Sequence, residues 1–188
     1  MILTSERLVL QEFVAADWPA VLAYQQKPEY LRYYEWSGRT AEDVQEFVRM
    51  LVRQQHAVPR IKFQLAVTLK STGQLIGNCG IRLKSAGAHE ADIGYELDPD
   101  HWGQGYATEA ARTVVHFGFT QLHVHRIWAQ HIADNCGSGR VLQKLGMQQE
   151  GRLRENEFFK GQWWDTLLYA ILEDEWQAKQ GRGSLAMR

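Results

Sequence analysis

Cysteine, net charge and long apolar runs are all scarce in this sequence, and each scarcity excludes a class of protein. Its two cysteines, Cys79 and Cys136, are too few for a disulfide framework and are expected to be reduced thiols in or near the core. Lysine and arginine total 21 against 22 aspartates and glutamates, and this net charge of -1 provides no electrostatic footprint for nucleic acid. No nucleic-acid partner is therefore expected.

The chain also lacks an apolar segment long enough to cross a membrane. Glu6 and Arg7 interrupt the N-terminal region where a signal peptide needs an unbroken apolar run. We therefore expect a cytoplasmic protein with no membrane partner. His123, His125 and His131 match no strong metal-ligand spacing, so no metal site is predicted.

With 188 residues, of which 45% are hydrophobic and 23% charged, the chain has the size and composition of one globular domain. We predict a single domain over residues 1–180 and a flexible tail over 181–188. The predicted strands cover residues 7–13, 62–69, 75–83, 91–97, 125–132, 147–159 and 163–172, and helices begin near residues 17 and 40, within 103–108 and at 135. This order predicts an α/β (α+β) fold with a mixed central sheet of about seven strands flanked by about four helices.

The segment with the clearest chemistry follows the strand 91–97 and comprises Gly103-Gln-Gly-Tyr-Ala-Thr108 at the start of a helix. The first turn of a helix leaves N–H groups unpaired and its dipole favours anions, while glycine lets the backbone approach a ligand closely. These features predict a diphosphate cradle, although two glycines are also typical of a structural turn. The loop lacks the Gly-Lys-Ser/Thr of nucleoside-triphosphate loops, and Thr108 replaces the third glycine of a dinucleotide fingerprint.

Three segments in order resemble the GNAT acetyltransferases, and within them the RimJ/RimL-type branch. Trp102-Gly-Gln-Gly-Tyr-Ala-Thr-Glu-Ala110 is similar to the family's pyrophosphate loop, Gln/Arg-x-x-Gly-x-Gly/Ala. Gly105 and Ala107 match the last two positions of that pattern, whereas Trp102 replaces its Gln/Arg. The other two segments are Asn135-x-x-Ser138-x-x-Val-Leu-x-Lys144-Leu-Gly-Met147 and Gly161-Gln-Trp-Trp-Asp165 leading to Leu168-Tyr169.

The resemblance covers most of the chain and implies the GNAT fold, in which the sheet splays where the strands 91–97 and 125–132 separate. It further implies acetyl-CoA as cofactor and direct transfer of acetyl to a primary amine. The residues that it assigns to cofactor binding are Leu97 and Asp98 at the strand end, Trp102, Gly103, Gln104, Gly105, Tyr106, Ala107 and Thr108 in the loop, and Asn135 and Ser138 opposite them.

The same resemblance makes Glu96 the candidate base, acting through a water chain, with a backbone N–H near Leu97 as the oxyanion donor. Many GNAT enzymes place an acidic tyrosine where this chain has Leu142. Ser138 is the implied replacement, either as an acid or only as a hydrogen-bond donor to the sulfur. Structural roles remain open: a salt bridge for Glu96, a surface hydroxyl for Ser138 and a helix cap for Asn135.

The acceptor amine is expected between the first two helices and the C-terminal hairpin, where aromatic rings and a carboxylate suit a cation. The candidate acceptor-binding residues are Tyr33, Tyr34, Glu35, Trp36 and Trp163, and each aromatic ring among them is equally typical of a core anchor. Tyr95 is expected to lie in the core or on a sheet face. RimJ/RimL-type acceptors include protein N-terminal α-amines, small amines and antibiotics, and the resemblance favours a protein or peptide N-terminus.

Two other functions remain open on the sequence alone. The missing tyrosine at Leu142 would suit a non-catalytic module that binds acyl-CoA without turnover. Transfer of a larger acyl group, such as succinyl, would require a cation beside the thioester, for which Arg82 or Arg152 is a candidate. Both a monomer and a homodimer are compatible with the sequence.

Overall fold

A computed structural model describes residues 1–185 of the chain, and these form eight strands and six α-helices. The strands are β1 (Ile2–Thr4), β2 (Leu8–Glu12), β3 (Lys62–Leu69), β4 (Leu75–Leu83), β5 (Glu90–Leu97), β6 (Arg126–Ile132), β7 (Gln148–Phe159) and β8 (Gln162–Leu172). The helices are α1 (Trp18–Gln25), α2 (Pro28–Leu31), α3 (Ala41–Gln55), α4 (Tyr106–Thr120), α5 (Cys136–Leu145) and α6 (Glu173–Leu185). The sequence-based counts missed the short β1, the single-turn α2 and the terminal α6.

Helix α6 forms where the sequence becomes polar, because one apolar side chain anchors it. Trp176 is buried and its ring lies 6.1 Å from that of Phe119. The flexible tail predicted over 181–188 overlaps the end of α6, and residues 186–188 lie outside the described part of the chain. No helix among residues 1–185 is long and apolar enough to span a membrane.

The strands form one mixed sheet in the order β1-β2-β3-β4-β5-β6-β8-β7. Every neighbouring pair is antiparallel except β5 and β6, which are parallel and joined by the crossover through α4. β5 pairs with β4 along its length to Leu97, but with β6 only over Glu90–Asp92. The two halves of the sheet therefore separate beyond Asp92, and the predicted splay is confirmed.

Helices cover both faces of the sheet and create two cores. The larger core contains the odd-numbered apolar residues of β5, which face α4 and α5. The smaller core lies under α1 to α3 and includes Val21, Tyr24 and Tyr30. Because successive strand residues point to opposite faces, neighbouring residues near the end of β5 reach different layers.

Two local signals fix the ends of helices that flank the splayed strands. Thr40 Oγ1 accepts a hydrogen bond from the Asp43 N–H at 3.1 Å, and the Thr40 N–H donates to the Asp43 carboxylate at 2.9 Å, so α3 begins with a capping box. α5 ends at Gly146, whose φ of 85° is the left-handed conformation that favours glycine. α5 begins at Cys136, just after β6 ends at Ile132, beside the opening in the sheet.

Candidate active site

The opening between β5 and β6 exposes backbone groups that no strand pairs. The Asp98 N–H donates to the Ile76 carbonyl on the β4 side at 2.8 Å. Backbone groups alternate in direction along a strand, so the Leu97 N–H, one residue earlier, points away from β4 and into the opening. An extended ligand can pair with such an edge as an additional strand would.

The glycine loop lies at the end of this opening and leads into α4. Gly103 has a φ of 75° and Gly105, the N-cap of α4, has a φ of 84°, both of which favour glycine. A Cβ at Gly103 would meet no protein atom within 4 Å, so open space lies on that side of the loop. Within the described part of the chain no side chain caps the N-terminus of α4, so its first N–H groups are available to an anion. The loop therefore fits a diphosphate.

Trp102 and Asp98 brace the loop against the strand end. Trp102 Nε1 donates to the Leu97 carbonyl at 2.8 Å, although the Trp102 side chain is 49% exposed. The Asp98 carboxylate accepts from Lys27 at 2.5 Å and from the Asp100 N–H at 3.1 Å. Trp102 thus connects the loop to β5, and the side chain of Asp98 is engaged within the protein.

Glu96 lies on the opposite face of the sheet, inside a cage of five hydrogen-bond donors. Its Oε1 accepts from the Tyr24 hydroxyl at 2.7 Å, from Gln25 at 2.9 Å and from Asn78 at 2.5 Å. Its Oε2 accepts from the hydroxyls of Tyr30 at 2.5 Å and Tyr34 at 3.1 Å. A carboxylate offers about four lone-pair sites, so these donors occupy all of them. Glu96 is half-buried, and a proton can be passed to it by one of the groups that it binds.

The tyrosines of the cage remain protonated donors. Burial, reinforced by the negative charge of Glu96, raises the pKa of the Tyr24, Tyr30 and Tyr34 hydroxyls well above the usual value. None of these five partners of Glu96 was predicted, and Tyr34 was expected only as an acceptor-binding residue. One signal was present in α1, where Gln25 follows Tyr24 on the inward face of an otherwise apolar helix.

A row of aromatic rings continues outward from the cage. The Tyr30 and Tyr34 rings stack at 4.6 Å, the Tyr34 and Trp36 rings stack at 4.6 Å, and the Arg39 guanidinium lies 5.5 Å from the Trp36 ring. The structure therefore brings the predicted acceptor residues Tyr34 and Trp36 together. Glu35, between them in sequence, is exposed and has no ion pair among the described residues.

The other two predicted acceptor residues lie apart from this row. Tyr33 donates from its hydroxyl to the Asp134 carbonyl at 2.9 Å, and its ring meets that of Trp164 at 5.9 Å. It thereby connects the segment after α2 with the end of β6 and with the hairpin β7–β8. Trp163 is 57% exposed and contacts Phe158, so Trp164 and not Trp163 packs against the predicted acceptor segment.

Ser138 and Asn135 lie at the start of α5, on the α4 side of the opening. Asn135 Oδ1 accepts from the Ser138 N–H at 3.1 Å, so Asn135 caps the helix. The Tyr95 hydroxyl is 2.9 Å from Ser138 Oγ and donates to the Ser138 carbonyl at 3.0 Å. Burial raises the pKa of Tyr95, which keeps its proton. Tyr95 and Glu96 are adjacent, so the two candidate catalytic groups flank the opening from opposite faces.

Three other residues considered from the sequence are engaged in the core or in ion pairs. Leu142 is buried in the larger core. Arg82 pairs with Asp92, and Arg152 pairs with Asp165, so both cations considered for a larger acyl group are neutralised. The described part of the chain contains no group of three or more potential metal ligands.

The family model for an acetyltransferase (GNAT) domain matches residues 7–148 of the chain. An uncharacterised N-acetyltransferase of Bacillus subtilis (strain 168), YnaD, is 35% identical over 176 residues, which cover 94% of this chain and 99% of the relative. A GNAT-family acetyltransferase structure from Bacillus anthracis is 32% identical, with a TM-score of 0.81 over 93% of this chain and 100% of that one. The [ribosomal protein uS5]-alanine N-acetyltransferase of Escherichia coli (strain K12) is 31% identical over 88 residues, 47% of this chain and 45% of the relative.

These matches and the splayed sheet with its glycine loop define an acyl-CoA-dependent transferase. The chain belongs to the GNAT acetyltransferase family, and it is an N-acetyltransferase that uses acetyl-CoA. The prediction of the family, of the enzyme class and of the cofactor is thereby confirmed.

Proposed function

We propose that the acceptor is the α-amine of a protein or peptide N-terminus and that the enzyme belongs to the RimJ/RimL-type branch. The observation that carries this proposal is that the carboxylates at the end of β5 and that of Asp165 are already engaged within the protein. Glu96 is saturated by five donors, Asp98 pairs with Lys27 and Asp165 pairs with Arg152. Glu35, beside the aromatic row, and Asp134, just after β6, have no ion pair among the described residues.

A polycationic amine would need several free carboxylates to balance its charge, and Glu96, Asp98 and Asp165 are not free to supply them. The aromatic row adds favourable contact with a single cation. The partial similarity to the uS5-alanine N-acetyltransferase supports the same class of acceptor.

When bound, acetyl-CoA supplies the thioester carbonyl that the amine attacks. We infer that Glu96 is the base that receives the proton of the ammonium group. Because its lone pairs are occupied, Glu96 accepts through the Tyr30 or Tyr34 hydroxyl, which takes up a proton from outside as it passes its own proton inward. The high pKa of these hydroxyls means that neither accumulates as a phenolate during this exchange.

The negative charges that develop on oxygen and on sulfur are stabilised by groups at the end of β5 and at the start of α5. The Leu97 N–H points into the opening and is the proposed oxyanion donor. Ser138 Oγ is the proposed hydrogen-bond donor to the departing sulfur, and Tyr95 holds it in place through a 2.9 Å contact. Asn135 keeps Ser138 in position by capping α5.

The acceptor assignment is tested by measuring thiol release from acetyl-CoA with three matched acceptors. These are a short peptide with a free N-terminus and no lysine, the same peptide with a blocked N-terminus and one lysine, and spermidine. We expect acetylation of the first peptide alone. Turnover with spermidine but with neither peptide would refute the proposal, and a preference for the lysine peptide would move the assignment to side-chain amines.

A further inference from the structure

The turn between β1 and β2 reaches across the molecule to the glycine loop, through a residue that no cofactor assignment includes. Arg7 Nε donates to Glu109 Oε2 at 2.7 Å, and its Nη1 donates to the Gln104 carbonyl at 3.1 Å. The guanidinium also lies 4.3 Å from the centre of the Tyr106 ring. Arg7 therefore contacts the loop and the first turn of α4.

These contacts hold the guanidinium in one orientation and leave one edge of it free. Nε and Nη1 are used within the protein, whereas Nη2 makes no hydrogen bond to any described residue. Nη2 lies 3.4 Å from where a Cβ at Gly105 would be, so it is directly beside the N-cap of α4. The Arg7 side chain is 43% exposed, and the free edge can therefore meet a ligand.

The electrostatics of the loop also depend on Arg7. Glu109 lies in the first turn of α4, where its charge stabilises the helix dipole but would repel a phosphate. Burial acts to raise the pKa of Glu109, but hydrogen bonds from the Arg7 N–H, from Ser5 and from the guanidinium outweigh it and hold the pKa below its usual value. Glu109 is therefore anionic, and Arg7 neutralises it beside the cradle.

We propose that Arg7 is a cofactor-binding residue whose free Nη2 edge donates to the pyrophosphate of acetyl-CoA, while its Nε edge cancels the charge of Glu109. Arginine suits this position because its planar fork can bind two acceptors at once and stays charged at all relevant pH values. The proposal concerns the cofactor and is independent of the acceptor amine.

The test compares Arg7→Met, which removes the cation, with Glu109→Gln, which breaks the same ion pair but keeps the cation. Dissociation constants are measured by calorimetry for CoA, for 3′-dephospho-CoA and for pantetheine, with no acceptor present. Arg7→Met should raise the dissociation constants of CoA and of 3′-dephospho-CoA by about 10- to 100-fold, because a hydrogen bond between charged groups is lost. Pantetheine lacks the pyrophosphate as well as the 3′-phosphate and should bind Arg7→Met and the parent equally well.

The matched control separates a phosphate contact from a purely structural brace. Glu109→Gln should change CoA affinity by less than about threefold, because the cation remains and a nearby negative charge is lost. Equal weakening by Arg7→Met and Glu109→Gln would overturn the proposal, as would a loss confined to CoA, which would indicate the 3′-phosphate. Arg7→Lys keeps the charge without the fork and should give an intermediate loss. If Arg7→Met does not fold, the comparison of Arg7→Lys with Glu109→Gln decides in its place, and equal affinities in those two variants would overturn the proposal.

Discussion

Replacing Glu96 by glutamine removes the charge at the centre of the tyrosine cage and keeps the shape of the side chain. Its amide oxygen can retain the three donors on the Oε1 side, namely Tyr24, Gln25 and Asn78. Its NH2 group would face the Tyr30 and Tyr34 hydroxyls, which must rotate to accept instead of donate. The variant is therefore expected to fold with a weakened cage.

The loss can be estimated from the bonds that survive. A hydrogen bond to a charged group contributes about 1.5–3 kcal/mol and a neutral one about 0.5–1.5 kcal/mol, so each of the three retained bonds loses about 1 kcal/mol. We expect Glu96→Gln to lower the free energy of unfolding by about 3 kcal/mol, which is less than the total stability of a typical domain. Denaturant unfolding at neutral pH measures this difference.

Glu35→Gln is the matched control, since it makes the same chemical change in a side chain outside the cage. It should alter the unfolding free energy by less than about 0.5 kcal/mol. A loss of less than about 0.5 kcal/mol for Glu96→Gln would refute the cage of charged hydrogen bonds described above.

The same variant tests the proposed base. General-base catalysis contributes about 10²- to 10⁴-fold, so kcat should fall by that factor while KM for acetyl-CoA changes little. A protein that loses the expected stability but keeps its kcat would show that Glu96 only organises the cage. Glu96 would then be a structural residue, and the base would have to be sought elsewhere.

Three further measurements test other parts of the structure. Burial raises the pKa of Cys79 to about 12 whereas Cys136 is exposed, so a thiol reagent should label one cysteine rapidly in the native protein and the second only on unfolding. Gly118→Ala should cost about 1–3 kcal/mol in denaturant unfolding, because its Cβ would lie 2.6 Å and 2.8 Å from two isoleucine methyl groups, and an unchanged midpoint would contradict that packing. Burial and then the charge of Glu96 raise the pKa of Tyr30 and Tyr34 above their unfolded value of about 10, so the stability that they contribute is complete below that pH and is lost as pH rises further. Near-ultraviolet absorbance should show these tyrosines ionising only as the protein unfolds, and their ionisation in the native state would contradict their burial around Glu96.

Features encoded in contiguous residues could be predicted from the sequence. The glycine loop, the Thr40–Asp43 capping box and the helix end at Gly146 each depend on side chains within one or two turns. The cage around Glu96 could not be predicted in the same way, because Tyr24 and Tyr30 lie 72 and 66 residues from Glu96 in the chain. Their meeting depends on how α1 and α2 dock on the sheet, which local periodicity does not specify.

The contact between Tyr95 and Ser138 was missed for a related reason. Both residues were noticed separately, but the direction of Tyr95 follows from the register of β5 against β4, and that of Ser138 from the start of α5. The turn that carries Arg7 was interpreted only as evidence against a signal peptide, since nothing near it in sequence indicates the loop some hundred residues away.

The parallel joint between β5 and β6 consists of only three residue pairs, and it is the sole strand pairing between a five-strand half and a three-strand half within residues 1–185. A ligand that pairs along this opening adds hydrogen bonds between the two halves of the sheet where the strands themselves make none. The fraction of protein with bound cofactor would then determine how readily the two halves of the sheet move relative to each other. Amide hydrogen exchange in β5 and in β6 would therefore slow together when acetyl-CoA binds.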